Sequence, residues 1–282
     1  MPNPFQAQKG SDPVKYKIGD VARILGVSTD ILRYYERKGV VTPEKDINND
    51  YRYYDAWHIN FLMDCLWFKN YGFSIEQIAD MVRIPGAREL GELFALKEEE
   101  LRAHIRRCQL LLRRSEEHRA SLEMIDSLLY KCEIADSPEF VRFIDRVGSN
   151  YMTDPLTNEC AKKWLEVLPF NNRYFEMSGE AVLPGREDDY RWGYSLSAEY
   201  VEELGFQVSP PMIRFPSRKC IHTVFKNSGG KGSFSPSLLE YALEYARREG
   251  IIVFGPIHGV LLCSVMENDA LTGYFEAWIP IE

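Results

Sequence analysis

The spacing of apolar residues predicts a series of short helices near the start of the chain. A first run of four apolar residues has helical spacing: Ile18, Val21, Ala22 and Leu25. Gly26 interrupts this run, and Ser28 stands where the cap of a following helix is expected. We therefore predict two short helices joined by a glycine-containing turn, the second running from Thr29 to about Arg37.

An extended segment, a turn and a second extended segment follow these helices. Residues 40–42 (Val-Val-Thr) and 51–54 (Tyr-Arg-Tyr-Tyr) have the composition of strands, and the polar stretch 43–50 predicts a turn between them. Such a strand-turn-strand arrangement forms a wing. Two further helices are predicted at about 56–70 and, after a Ser74 cap, at 75–82.

A long and mostly polar helix is predicted next. Between about Glu89 and Tyr130 the sequence has no proline and a single glycine, Gly91. One narrow and largely apolar stripe runs along this segment: Leu101, Ile105, Cys108, Leu112, Leu122, Ile125 and Leu129. Such a stripe is typical of a coiled-coil seam, so we expect two copies of the chain to pair along it as a homodimer. Packing of the stripe against its own domain is the alternative.

The pattern changes to alternating, aromatic-rich segments after residue 138. Two helices interrupt these strands, at 156–168 and 236–249. A strand-helix-strand-strand order occurs twice, and the second copy is the clearer one, with strands at 213–226, 251–266 and 271–281. We predict an α+β multidomain protein whose second domain contains these two units.

Composition narrows the class of protein. The chain has 282 residues, of which 45% are hydrophobic and 27% charged, as in globular proteins large enough for two domains. It contains no apolar run of eighteen residues and no secretion-signal pattern, so we expect a cytoplasmic protein without a membrane partner. The net charge is −8, but residues 15–55 are nearly balanced, with eight basic and seven acidic side chains. Any binding of nucleic acid must therefore depend on where individual basic residues lie.

Familiar catalytic and metal-binding patterns are missing from the sequence. The six cysteines stand singly: Cys65, Cys108, Cys132, Cys160, Cys220 and Cys263. There is no CxxC or Cys/His cluster, no glycine-rich phosphate loop, and no HExxH or GxSxG motif. We expect neither an enzyme nor a bound cofactor or metal. A metal or redox sensor that uses Cys108 or Cys132 is an alternative.

Six short blocks near the start of the chain carry a family resemblance. They lie in YKIGDVARILGVSTDILRYYERKGVVTP (16–43), DYRYYD (50–55) and NYGFSIEQIADM (70–81). In order and spacing, these blocks closely resemble MerR-type transcription regulators. Most relatives have glycine where this chain has Asp50, and the run Asn48-Asn49-Asp50 can adopt the left-handed geometry of a turn instead.

The resemblance implies a winged helix-turn-helix domain that binds double-stranded promoter DNA. The helix 29–37 would lie in the major groove with Arg33 facing the DNA and Tyr34 meeting a phosphate, and Arg52 of the wing would clamp another phosphate. The expected DNA-binding residues are Lys17, Ser28, Thr29, Arg33, Tyr34, Arg37, Lys38, Tyr51, Arg52 and Tyr54.

Two alternatives to these roles stay open. Arg33 can instead pair along its own helix with Asp30 or Glu36, each three residues away. Tyr35 and one of the wing tyrosines can be rings of the hydrophobic core.

The same resemblance implies how the DNA would be used. A homodimer would bind a palindromic promoter whose spacer is too long for RNA polymerase. By bending and untwisting that spacer it would realign the promoter elements and activate transcription.

The second domain resembles, more loosely, the GyrI-like effector-binding domains of multidrug-sensing relatives. The resemblance rests on the doubled strand-helix-strand-strand pattern and on the ending Y-F-E-A-W-I-P-I (274–281). In such relatives a lipophilic cation lies in an aromatic pocket against a glutamate of the last strand, and Glu276 matches that glutamate. The expected effector-binding residues are Glu276, Tyr274, Trp278, Trp192, Tyr194, Tyr151, Phe225 and, as a competing acid, Glu180. Because some stand-alone GyrI-like domains hydrolyse small compounds, a hydrolase is a further alternative.

Four segments follow from these predictions. They are a flexible arm at 1–13, a MerR-type winged helix-turn-helix at 14–86, a dimerisation helix at 87–132 and a GyrI-like effector-binding domain at 137–282. The arm has three prolines and little hydrophobic content.

Overall fold

A computed structural model describes residues 14–45, 51–81, 83–84, 86–177, 190–228 and 234–282. The chain folds into two compact units, Met1–Ile105 and Arg106–Glu282. Three predicted features lie outside the described residues: the arm at 1–13, the wing turn at Asn48-Asn49-Asp50, and Glu180.

Unit 1 is built from short helices in the predicted order. They are α1 (Ile18–Leu25), α2 (Thr29–Arg37), α3 (Ala56–Asn70), α4 (Ile75–Met81) and the start of α5 (Ala87–Leu128). Gly26 ends α1 with a φ of +67°, a left-handed conformation that glycine adopts without strain. Ser28 caps α2, since its Oγ accepts a hydrogen bond from the Ile31 backbone N–H at 3.2 Å. The turn and the cap together fix α1 and α2 as a helix-turn-helix.

A small antiparallel sheet completes unit 1. Its strands are β1 (Tyr16–Lys17), β2 (Glu44–Lys45) and β3 (Arg52–Tyr54), with β3 in the middle. The prediction of a first wing strand at residues 40–42 was wrong. Val40 and Val41 are instead buried in the core of unit 1, which explains their apolar character without a strand.

Unit 2 contains the remainder of α5 and an antiparallel sheet. Within the described residues the sheet has nine strands: β4 (Cys132–Asp136), β5 (Phe140–Val147), β6 (Asn150–Tyr151), β7 (Asn172–Met177), β8 (Tyr190–Ser197), β9 (Ile213–Phe215), β10 (Lys219–Asn227), β11 (Ile257–Glu267) and β12 (Ala270–Pro280). Their order is β4-β10-β12-β11-β7-β8-β5-β6, and β9 pairs with β5. The single strand predicted at 213–226 is therefore two strands, β9 and β10, with different partners.

Within the described residues, three helices of unit 2 follow α5. They are α6 (Pro155–Glu166), α7 (Ala198–Glu203) and α8 (Glu240–Glu249), and a 3-10 turn at Pro236–Leu239 leads into α8. The predicted helix at 236–249 thus begins as a 3-10 turn, and α7 was missed because its six residues are too few for a periodic signal. Among the described helices, none is both long enough and apolar enough to span a membrane.

The two faces of the unit 2 sheet differ in character. One, the helix face, carries Phe175, Phe225 and Phe275, which pack with residues of α8 in one core cluster. The other, the charged face, carries His222, His258 and Glu276 on three adjacent strands. Alternation along β12 produces this division, because Phe275 and Glu276 are consecutive and point to opposite sides.

Candidate functional site

The exposed side of α2 presents the basic residues expected to meet DNA. Leu32 and Tyr35 are buried beneath the helix, whereas Arg33, Arg37 and Lys38 are exposed. The Arg33 guanidinium contacts Asp30 at 3.2 Å, which is one of the two alternatives left open by the sequence. An exposed pair of this kind contributes only about 0–1 kcal/mol. Arg33 can therefore exchange Asp30 for another anion at little cost.

Tyr34 lies at the centre of a small cationic cluster at the end of α2. The Arg37 guanidinium lies 5.7 Å from the Tyr34 ring centroid, and the Lys38 ammonium lies 5.6 Å from it. Lys38 also contacts Glu76 of α4 at 2.7 Å, and that hydrogen bond raises the pKa of Lys38. The cluster keeps two positive charges beside a phenol ring on the exposed surface.

Glu36 joins the wing to α2. Its carboxylate accepts a hydrogen bond from Arg52 Nε of β3 at 2.5 Å and lies 3.5 Å from Lys45 Nζ of β2. The Glu36 side chain is only 16% exposed, whereas its partners Arg52 and Lys45 are 30% and 50% exposed. Sequence reasoning considered Glu36 only as a partner of Arg33. The structure gives it a different part, that of orienting the two basic wing residues against α2.

Other predicted DNA-binding residues have mixed positions. Lys17 lies with its ammonium 5.6 Å from the Tyr51 ring centroid, and both residues are exposed. Ser28 is the cap of α2, with half-buried Thr29 as the first helical residue. Tyr54 is a correction, because it is fully buried in the core and burial raises its pKa to about 12. It is thus the wing tyrosine that forms a core ring, together with Tyr35 of α2.

The apolar stripe of α5 is divided between two environments. Leu101, Ile105 and Leu112 are 43%, 57% and 62% exposed, and Cys108 and Leu122 are also exposed. Ile125 and Leu129 instead pack with Leu128 against Val224 and Leu262 of the sheet. The prediction that the seam continues to Leu129 is therefore corrected, since the last turn of the stripe is covered by its own domain.

A cavity of about 80 Å³ opens on the charged face of the sheet. Glu276 and Trp278 of β12 line it, as do His258 of β11 and Tyr174 of β7. The remaining lining residues are Pro138, Phe140, Asn172, Ser195, Ser197, Gly259 and Val260. The cavity thus combines a carboxylate with aromatic walls, the composition expected of a pocket for a lipophilic cation.

Glu276 is paired inside the protein with a histidine that sequence reasoning did not single out. Its Oε1 lies 2.8 Å from His222 Nε2, and His222 Nδ1 lies 3.0 Å from Glu133 Oε1 of β4. The imidazole also stacks on Trp278, with centroids 3.8 Å apart and planes within 2°. Burial alone would lower the pKa of His222, but the hydrogen bonds and charges of Glu276 and Glu133 outweigh it and raise that pKa.

His258 of β11, on the other side of β12 from His222, behaves in the opposite way. It is buried between Phe140 and Phe215, and burial lowers its pKa to about 4. Its Nδ1 lies 3.5 Å from the Pro256 carbonyl oxygen, and Nε2 has no partner among the described residues. His258 is therefore a neutral wall of the cavity at physiological pH.

A second carboxylate, the buried Glu176, lies on the same face. Its side chain is 7% exposed and contacts Arg142 Nε at 3.2 Å and Arg191 at 3.3 Å. The Tyr174 hydroxyl donates to it at 3.1 Å, and burial followed by the Glu176 charge raises the pKa of Tyr174 well above its ordinary value. Among the described residues, Glu176 thus contacts two arginines, whereas Glu276 contacts one histidine.

The structure does not bring the remaining candidate pocket residues to this cavity. Trp192, Tyr194 and Phe225 lie on the helix face, because alternation along β8 and β10 turns them away from Glu276. Tyr151 is exposed on β6, with its ring near Arg146. Tyr274 shares the side of Glu276, but it packs with Val224 and Leu262 and donates its hydroxyl to Glu267.

The cysteines form no evident sensor among the described residues. No group of three or more His, Cys, Asp or Glu side chains in that part of the chain could hold a metal ion. Burial raises the pKa of Cys65, Cys132, Cys160, Cys220 and Cys263, which keeps these thiols protonated at neutral pH. Cys108 is exposed on α5.

Comparison with known proteins identifies the nature of unit 1. The sequence model of MerR HTH family regulatory proteins matches residues 16–83. The HTH-type transcriptional regulator CueR of Escherichia coli O157:H7 is 37% identical over 67 residues, which cover 24% of this chain and 50% of that protein.

Two further relatives extend the match. CueR of Yersinia pestis is 32% identical over 93 residues, covering 31% of this chain and 67% of that protein. The HTH-type transcriptional activator mta of Bacillus subtilis (strain 168) is 31% identical over 85 residues, covering 30% of this chain and 33% of that protein. The chain spans about half the length of the Escherichia coli CueR proteins that it matches.

Proposed function

The chain belongs to the MerR family of helix-turn-helix regulatory proteins, and on that premise we propose that it regulates transcription in response to a small ligand. The observation that best supports DNA binding is that the wing is held against α2. Glu36 of α2 contacts both Arg52 and Lys45, which supports a role for the basic residues of helix and wing in one DNA interface. Arg33 would face the major groove, while Arg37, Lys38 and Arg52 would meet phosphates.

The acting species would be a homodimer that joins along α5. Support comes from the exposed part of the stripe, Leu101 to Leu112, which leaves large apolar side chains in water. Two such domains would bind a palindromic promoter and bend and untwist its spacer for RNA polymerase. Activation rather than repression is favoured by the similarity to mta, which is named a transcriptional activator.

Selection from a pool of random duplexes tests the DNA-binding proposal. The full chain should enrich a palindrome, and in transcription with RNA polymerase it should alter the output of a promoter containing it. Arg33→Ala should weaken binding of the selected duplex about tenfold or more, corresponding to about 1–3 kcal/mol. Arg88→Ala is the matched control, because Arg88 is an exposed arginine of unit 1 that pairs with Glu92 along α5. Equal losses in the two variants, or no enriched sequence, would contradict the proposal.

The ligand pocket would be the cavity at Glu276 and Trp278, and its ligand class would be lipophilic cations. A carboxylate beside an indole ring attracts a bulky cation through charge and through the ring face. We also infer that the domain consists of two strand-helix-strand-strand units. In support, β8 lies between β5 and β7, and β12 lies in the same way between β10 and β11.

Titration with tetraphenylphosphonium, followed by tryptophan fluorescence and by transcription, tests the ligand class. Glu276→Gln should weaken binding, whereas Glu267→Gln should not, since Glu267 lies on the same sheet but outside the cavity. Binding that survives Glu276→Gln unchanged would refute the pocket. Binding that survives replacement of all six cysteines but is lost in Glu276→Gln would exclude a metal or redox sensor that uses the cysteines. Consumption of the ligand would favour a hydrolase.

A further inference from the structure

The groups expected to receive a cationic ligand are already engaged by a side chain of the protein itself. A lipophilic cation would need the carboxylate of Glu276 and the ring face of Trp278. In the structure both groups are engaged by His222, through a 2.8 Å contact to Glu276 Oε1 and a parallel stack on Trp278 at 3.8 Å. The imidazole thus occupies the position in charge and in ring stacking that a bound cation would take.

We propose that His222 is an internal substitute for the ligand, and that a lipophilic cation binds by exchanging with the proton of His222. This inference rests on the pocket proposed above and concerns its regulation. Before binding, the charge of Glu276 is balanced by protonated His222. After binding, the ligand balances Glu276, and the Nε2 proton of His222 passes to solvent. Charge is conserved, since one cation enters the site and one proton leaves it.

The hydrogen-bonding partners of His222 fit this exchange. Its Nδ1 lies 3.0 Å from Glu133, so neutral His222 can keep its proton on Nδ1 and remain anchored to β4. Among the described residues, the charged groups that face it are Glu133 of β4 and Glu276 of β12. The end of α5 contributes Met124, Ile125 and Leu128 to the apolar cluster around neighbouring Val224. Both carboxylates raise the pKa of His222. A cation bound at Glu276 would offset the contribution of Glu276 to that pKa.

The small size of the cavity agrees with a site that is partly filled from within. Pockets for drug-sized ligands usually measure about 300–1,000 Å³. The cavity beside Glu276 measures about 80 Å³, and the stacked pair of His222 and Trp278 adjoins it. Release of His222 from Glu276 would free the carboxylate and one face of the indole for the ligand.

Calorimetric titration of the full chain with tetraphenylphosphonium from pH 6 to 9 tests the exchange. This probe carries a permanent charge, so any pH dependence belongs to the protein. We expect affinity to rise by up to about tenfold per pH unit until His222 is neutral. Titrations in two buffers of different ionisation enthalpy should show up to one proton released per cation bound. Triphenylphosphine oxide, a neutral analogue, should release none.

Two variants and a control sharpen the test. His222→Gln should bind tetraphenylphosphonium more tightly than the native chain at pH 6 and should show no proton release. Glu133→Gln, at an exposed carboxylate, should shift the pH midpoint of binding downward, and it keeps the proposal testable if His222→Gln fails to fold. His118→Gln should behave as the native chain, because His118 is an exposed histidine of α5.

Two outcomes would overturn the inference, and they differ in what they leave standing. Binding of tetraphenylphosphonium without pH dependence or proton release would refute the exchange but leave the cation pocket intact. No binding at any pH, in either the native chain or His222→Gln, would refute both the exchange and the pocket.

Discussion

Units 1 and 2 use charged side chains in opposite ways. The arginines of unit 1 lie at the surface, where Arg23 and Arg33 each contact an aspartate one helical turn away. In unit 2 the charged face contains an enclosed ion pair, in which the Arg142 and Glu176 side chains are 11% and 7% exposed. Exposed pairs are screened and weak, whereas buried pairs lose their hydration and depend on each other.

This difference determines which unit can exchange the partners of its charged side chains, and at what cost in free energy. A DNA-binding surface has to trade its local anions for phosphates, and weakly paired arginines allow that. A pocket that recognises one cation needs a carboxylate in a medium of low dielectric, where attraction is strong. Lys45 and Arg52 lie between these cases, because Glu36 is partly buried and orients them without enclosing them.

Arg142→Ala gives the largest expected effect, and it directly tests the contrast between enclosed and exposed ion pairs. Among the described residues, loss of Arg142 leaves the buried Glu176 carboxylate with Arg191 as its one remaining cationic partner. We expect the free energy of unfolding of unit 2 to fall by about 3–5 kcal/mol, measured by urea denaturation. Arg214→Ala in the same unit, which removes an exposed contact to Glu139, should cost only about 0–1 kcal/mol.

The unit 1 counterpart of that experiment is Arg23→Ala. Because Arg23 is highly exposed, its removal should also change stability by no more than about 1 kcal/mol. If Arg23→Ala proved as damaging as Arg142→Ala, the contrast between exchangeable and enclosed charges would fail.

Acidification should destabilise unit 2 through His258. Its pKa is about 4 in the folded protein and about 6.5 when unfolded, so the unfolded state takes up the proton first. The stability it contributes is complete above pH 6.5 and is lost as pH falls towards 4, by about 3 kcal/mol. His222 has the opposite sign, because its raised pKa contributes stability below pH 6.5 that is lost as pH rises through its folded pKa.

Urea denaturation at pH 7, 5 and 4 measures this effect, with His258→Phe as the comparison. The phenylalanine keeps an aromatic ring between Phe140 and Phe215 but does not titrate. The native chain should therefore lose more stability than His258→Phe between pH 7 and pH 4. Parallel pH profiles for the two proteins would show that His258 does not supply the difference.

The sequence predicted unit 1 better than the pocket of unit 2, and the reason is the range of the interactions. The bounds of α2 depend on local chemistry, namely the Ser28 cap and the apolar spacing around Leu32. α3 was predicted at the residues where it occurs for the same reason. The wing strand was misplaced because Val40 and Val41 are apolar core residues outside any strand. A local run of apolar residues has the same pattern in both cases.

The pocket depends on strand register, which the sequence does not display. Alternation along β12 correctly separated Glu276 and Trp278 from Phe275, since it needs only one strand. The pairing of Glu276 with His222 requires β10 to lie beside β12 in one register, although the residues are 54 positions apart. Trp192 and Phe225 were assigned to the wrong face for the same reason, because their sides depend on the register of β8 and β10.

Tyr54→Phe gives the smallest expected effect, and it tests whether Tyr54 of unit 1 is a core residue and not a DNA-binding residue. Tyr54 is fully buried, and its hydroxyl has no hydrogen-bond partner among the described residues. Removal of an unsatisfied buried hydroxyl should leave stability unchanged or raise it by up to about 1 kcal/mol, and it should not alter DNA affinity. Tyr34→Phe is the matched variant, because half-buried Tyr34 lies in the cationic cluster of α2 and should lose a phosphate contact. Weaker DNA binding by Tyr54→Phe than by Tyr34→Phe would mean that the core ring, and not the surface ring, reaches the DNA.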